Sequence, residues 1–221
     1  MITHHPTEEF MVAYAAGTLD EANSLVIAAH LTLCPACRDD IVAYEALGAT
    51  LMEELPEAVM APQALATTLE RVRHEPRSLA SVSSPLPSRH APTSSIMLPA
   101  PLRHYVGGDI DAAKWQALGP GIHHMLLVTS AGVTARLLRI APGRSVFDHS
   151  HGGPELTLVL NGSYLSQGER FARGDLEFAD ENVNHRPVAG MEDVCICLAA
   201  TDAPLRFGSW IGRLMQPFIG I

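Results

Sequence analysis

The chain has 221 residues, 47% hydrophobic and 18% charged, with 15 basic against 24 acidic side chains and a formal net charge of −9. That apolar content is enough for a packed core and excludes wholesale disorder. The longest apolar runs, such as Val194 to Ala200, fall far short of the roughly 20 residues a membrane-spanning helix needs. The negative charge is unevenly placed. Residues 1–75 carry 3 basic and 12 acidic residues, while residues 76–221 carry 12 of each. An acidic first third disfavours nucleic acid and steers towards a basic protein surface; the blander reading of the same charge is solubility. The opening Met1-Ile2-Thr3-His4-His5-Pro6 has neither a basic nor an apolar leader region, so no signal peptide is expected. Four cysteines then read as thiols or metal ligands of a cytoplasmic protein.

Along the chain, the first elements read as helices. Thr7 caps a first helix, with Glu8 and Glu9 against its positive end and Gly17 as its stop. Thr18-Leu19-Asp20-Glu21 forms a capping box for a second helix that runs towards His30. A third follows Pro35, with Ile41, Tyr44, Gly48, Leu51 and Leu55 on one face. A fourth starts near Pro62 and aligns Leu65, Leu69 and Val72. So few short helices make a small core, which needs a staple.

Residues 76–101 are rich in Pro and Ser and read as a flexible linker. They divide the chain into residues 1–75, the linker, and residues 102–221. The last part reads as strands: Thr134 to Ile140, Glu155 to Leu160, Gly174 to Phe178 and Asp193 to Ala199. Asn161-Gly162 is the signal of a hairpin turn, and the whole pattern is that of a small barrel or sandwich. His104, His123 and His124 have no assigned role and are expected at the surface. Trp115 and Trp210 read as packing residues, and the apolar tail from Met215 to Ile221 as a segment that docks on the barrel.

Cys34-Pro35-Ala36-Cys37 is a C-x-x-C motif with His30 four residues upstream. His30 and Cys34 meet at i, i+4 in the last turn of the second helix, and Pro35 puts Cys37 in the first turn of the next. Three soft ligands converge on one corner, and zinc wants four; the fourth is His4 or His5. A redox C-x-x-C needs a βαβ setting, which this helical stretch lacks. The spacing His5-x24-His30-x3-Cys34-x2-Cys37 resembles the zinc-binding domain of bacterial anti-sigma factors. That resemblance favours His5 over His4. It implies three helices around the zinc and a separate fourth helix, wedged between the two domains of a group IV (ECF) sigma factor.

The second constellation is Gly143-x5-His149-x-His151-x3-Glu155-x6-Gly162, with His185 further on. His149 and His151 alternate along a strand and Glu155 opens the next, so three His and one Glu can hold a divalent metal inside a barrel. This resembles the first cupin motif at every fixed position. The second cupin motif is matched at Gly174 and His185, while Asp180, Asn182 and Ala189 depart from it. Cys195 and Cys197 share a strand face, either as small core residues or as oxidation targets near the metal.

The two halves together resemble the family of ChrR-type zinc-binding anti-sigma factors with a C-terminal cupin domain. The resemblance implies a small zinc-stapled helical domain joined by a flexible linker to a cupin β-barrel, an α + β multidomain chain with zinc in both domains. It implies a non-enzymatic regulator that holds an ECF sigma factor in a 1:1 complex and releases it on oxidative stress, singlet oxygen or organic peroxide. Neither direct nucleic-acid binding nor membrane association is expected. The alternative is a metal-dependent cupin dioxygenase with an appended zinc docking domain.

Overall fold

The computed structural model describes residues 1–74, 97–127, 133–146, 149–150, 153–180, 184–201 and 206–207. Four helices come first: α1 (Glu8–Ala15), α2 (Glu21–Leu33), α3 (Pro35–Glu53) and α4 (Ala64–His74). The capping box expected at Thr18 is not formed. Asp20 caps α2, accepting from the Asn23 backbone N–H at 3.0 Å and from its side-chain amide at 2.6 Å, while the Thr18 hydroxyl turns back to the Ala13 carbonyl. A carboxylate is the stronger acceptor at the positive end of a helix, and it wins. Pro35 occupies the first turn of α3, as expected.

Helix α3 is buried only over its first two turns, at Cys37 and Ile41. The expected stripe continues in sequence, but Leu47, Leu51, Met52 and Leu55 are exposed. No residue of α4 is buried. Within the stretch expected as linker, Leu98 is buried and Ala100 opens α5 (Ala100–Val106), which ends at Gly107. Residues 75–96 and the tail beyond 207 lie outside the described residues, Trp210 among them.

After a 3-10 turn at Ile110–Ala112, the remaining described elements are strands, all paired antiparallel. Strands β1 (Gln116–Gly119), β2 (Ile122–Leu126), β3 (Thr134–Ile140), β5 (Glu155–Asn161), β8 (Leu176–Ala179) and β11 (Cys195–Thr201) form a six-stranded sheet in the order β1-β2-β3-β11-β5-β8. A second sheet is β10-β6-β7, from β6 (Ser163–Ser166), β7 (Glu169–Ala172) and β10 (Val188–Ala189). A third is β12-β4-β9, from β4 (His149–Ser150), β9 (Asn184–His185) and β12 (Arg206–Phe207). The expected hairpin at Asn161-Gly162 is absent, because β5 pairs with β11 and β8 while β6 pairs with β7 and β10. Gly162, at φ +68°, instead makes the corner between two sheets. A Cβ there would lie 2.7 Å from the Val194 carbonyl oxygen.

Why β11 is continuously apolar follows from its two buried faces. Ile196, Leu198 and Ala200 join a cluster with Leu156, Leu158 and Leu160 of β5, Leu25, Val26 and Ala29 of α2, and Leu102 and Val106 of α5. Cys195 and Cys197 face the other way, into a second cluster with Ile122, Ile140, Val159, Tyr164 and Phe171 between the sheets. Helix α2 therefore lies on the outer face of the six-stranded sheet, and the helical and β parts share one core. Replacing Leu102, wholly buried in that core, with Ala should cost about 2–5 kcal/mol. Calorimetry should show a single transition moved to lower temperature, with the helical and β parts melting together.

Candidate metal centres

His5, His30, Cys34 and Cys37 come together at the corner between α2 and α3. One ligand atom from each lies within 4.8 Å of all the others. His5 Nδ1 stands 3.5 Å from Cys34 Sγ and 3.2 Å from Cys37 Sγ, and His30 Nε2 stands 3.3 Å from Cys37 Sγ. Tetrahedral zinc with ordinary bond lengths sets its ligand atoms about 3.4–3.8 Å apart, so the cluster fits the ion. Cys34 serves as both the last cap of α2 and the first of α3, which is how the sequence closes the corner. His4 is not in the cluster. It turns to Asp175 and Glu169 and lies 4.3 Å from the Phe171 ring.

The protonation states agree with a cation at the centre. Burial holds the His30 imidazole near 4, so it is neutral and able to ligate. Burial, with Cys34 adding to it, pushes the Cys37 thiol up to about 12. Two adjacent thiolates are unwelcome there without a dication to replace their protons. A cavity of about 390 Å³ lined by His5, Cys37, Asp40 and Tyr44 opens onto the cluster.

The other nitrogen of His30 reaches a different part of the fold. His30 Nδ1 donates to the Gly174 carbonyl at 2.9 Å, in the turn between β7 and β8. Such a bond fixes the tautomer and leaves Nε2 for the metal. Next to it, Asp175 accepts from the backbone N–H of Thr3 at 2.7 Å, of His4 at 3.1 Å and of Ala172 at 2.9 Å. Burial pushes the Asp175 carboxyl up, but these bonds and His4 outweigh it and hold it below the usual range. The Leu176 N–H donates to the His4 carbonyl, so the segment before His5 is sewn to β8. Gly174 has φ +94°, and a Cβ there would meet Ile2 at 2.5 Å. No sequence pattern marks this seam; Gly174 reads there as a strand start and a cupin-motif glycine.

Of the second constellation, Glu155 is buried at the start of β5 and accepts from the Thr157 hydroxyl at 2.9 Å. His149 and His185 occupy directly opposite positions of the β4–β9 pair. His151 lies outside the described residues. Histidines and a carboxylate are donor types suited to a divalent metal. The Cys195 and Cys197 thiols are 3.5 Å apart and buried. Their mutual hydrogen bond and burial keep the Cys197 thiol well above its ordinary range, so it is protonated. His124, expected at the surface, is buried inside the barrel; β2 is covered on that face by the second sheet.

Two family comparisons match: the ChrR Cupin-like domain over residues 104–204 and a zinc-finger family over residues 7–38. The chain is 44% identical to the anti-sigma-E factor ChrR of Cereibacter sphaeroides over 220 residues, covering 100% of this chain and 99% of that protein. Among solved structures it is similar to the Rhodobacter sphaeroides complex of SigE with the anti-sigma ChrR. There the TM-score is 0.76 at 41% identity, covering 91% of this chain and 100% of that one.

Because the His30 imidazole is kept neutral in the fold, the unfolded chain binds more protons between pH 6.5 and 4. The stability that depends on His30 should be complete above about pH 6.5 and lost progressively as pH falls towards 4. Chemical denaturation of the metal-stripped protein at stepped pH measures it, and His30→Gln should flatten the profile across that window.

Proposed function

This chain belongs to the family of ChrR anti-sigma factors, and we propose on that basis that it sequesters an ECF-type sigma factor in a 1:1 complex and releases it under oxidative stress. Residues 1–75 are the sigma-binding domain, residues 76–101 the connection and residues 102–221 the sensor. The observation that carries the sigma-binding part is the unpartnered apolar surface at the end of the helical region. Leu65, Leu69 and Val72 fall at i, i+4 and i+7 on α4, with Leu65 72% and Val72 68% exposed. Leu47 and Leu51, with Leu55 just past its end, add an apolar surface along α3. An amphipathic helix of 11 residues has little stability alone and takes it from what covers its apolar face. The similar ChrR structure is a complex with SigE, and a sigma factor is the partner this surface suits. The cupin-enzyme alternative gives that surface nothing to do.

Zinc held by His5, His30, Cys34 and Cys37 closes the corner on which these helices are set. In the sensor, His149, His151, Glu155 and His185 would hold a divalent metal, zinc by kinship, and singlet oxygen or an organic peroxide acts at the barrel. Bound there, the metal would supply Lewis acidity. The seam at Gly174 and Asp175 gives a route from barrel to zinc domain that does not pass through residues 75–96. A displaced β7–β8 turn withdraws the acceptor of His30 Nδ1 and the anchor of the Thr3-His4 segment.

Leu65→Glu and Leu69→Glu alter exposed positions, so the fold should keep its stability within about 0.5 kcal/mol. A central apolar anchor of an interface is worth about 2 kcal/mol or more, roughly 30-fold in affinity. Pull-down of the sigma factor and a sigma-dependent reporter should therefore show lost inhibition, with circular dichroism unchanged. Full inhibition by the double variant would refute this docking surface.

The sensor reading has its own test. Ala at His149, Glu155 or His185 should leave inhibition intact and abolish the reporter's response to singlet oxygen or organic peroxide. A full response from these variants would place the sensor elsewhere, with Cys195 and Cys197 the next residues to examine.

A further inference from the structure

Three polar side-chain atoms inside the barrel lack a hydrogen-bond partner among the described residues. On β2, His124 shares a face with Ile122; on β3, Arg136 shares a face with Ile140; both of these isoleucines line the space between the sheets. His124 is 6% exposed and Arg136 5%. His124 Nδ1 and Arg136 Nε and Nη1 are buried with no hydrogen-bond partner. A buried polar group left unsatisfied costs about 1–3 kcal/mol, more when charged, and folded proteins keep few of them. Three such atoms on one face of two adjacent strands describe a site made for something else.

We propose that Arg136 and His124 form a receptor for one small organic carboxylate inside the barrel. The register puts them together. His124 stands opposite Leu138 and Arg136 opposite Leu126, so the two are diagonal neighbours. Across β11, Arg136 is level with Ala199, which is level with Thr157, and Glu155 is the next residue on that face of β5. Only the methyl of Ala199 stands between Arg136 and the strand that carries Glu155.

Charge selects the class of ligand. The interior already holds the carboxyl groups of Glu155 and Glu177. Burial weakens the hold of Arg136 on its proton while Glu155 opposes that loss. A divalent metal on Glu155 is offset by the two buried carboxylates, which leaves one guanidinium to match one negative charge rather than a dianion such as phosphate. Burial and Arg136 both keep His124 neutral, so it contributes a hydrogen bond without a second charge. Ile122 and Val159 offer the apolar wall that a short carbon chain needs. This rests on the barrel interior alone and goes beyond the sigma-binding reading.

The test uses the full chain loaded with its metals. Isothermal titration with acetate and butyrate should show binding, and inorganic phosphate at matched ionic strength should show none. Arg136→Gln should weaken carboxylate binding about tenfold or more, and Arg136→Lys, which keeps the charge, should weaken it less. In the 15N-labelled wild type, acetate should shift the Arg136 Nε–H and His124 ring resonances, a readout that stands even if Arg136→Gln does not fold. Failure of both carboxylates to bind the folded wild type would overturn the proposal. So would an affinity unchanged in Arg136→Gln, or Arg136 and His124 resonances that stay in place.

Discussion

His30 has two ring nitrogens, and each is committed to a different part of the molecule. Nε2 faces the cluster of His5, Cys34 and Cys37, while Nδ1 is held by the Gly174 carbonyl in the β7–β8 turn. A metal ligand whose second nitrogen is bonded to backbone has a fixed tautomer and ring orientation. Here that backbone belongs to the barrel, so the zinc corner takes part of its geometry from the opposite half of the chain. The Thr3-His4 segment does the same for His5, because its N–H groups end on Asp175 and its carbonyl on Leu176.

This connection explains why so small a helical region is ordered. Its buried hydrophobic residues, Met11, Ala22, Leu25, Val26, Ile27, Ala29, Cys34, Cys37 and Ile41, are few. They are continued by the outer face of the six-stranded sheet, where α2 and α5 cover Ile196, Leu198 and Ala200. The staple and the shared core act together, one closing the α2–α3 corner and the other removing the remaining apolar surface from water. What remains exposed, the end of α3 and the whole of α4, is the part that neither reaches.

Much of this was legible in the residues. H-x3-C-x2-C with an upstream His is a local pattern, and i, i+4 geometry alone brings His30 to Cys34. Likewise β11 announced itself by a run of apolar residues. The failures were of longer range. Asn161-Gly162 has hairpin chemistry but turns the chain between sheets, because pairing partners are chosen by the whole barrel. His124 looked like a surface residue because nothing local says which face of β2 is covered. The Asp175 seam joins residues more than 170 positions apart, a separation at which no sequence period operates.

Gly174 satisfies two demands with one backbone conformation. It turns the chain between β7 and β8 with a positive φ, and it leaves room for Ile2 while its carbonyl holds His30. The consequence is evolutionary. A cupin domain recombined onto another zinc-finger domain would need a matching turn, a matching N-terminal segment and a matching sheet face all at once. The two halves are therefore expected to be inherited as a pair and to diverge together along this seam, rather than being exchanged as cassettes.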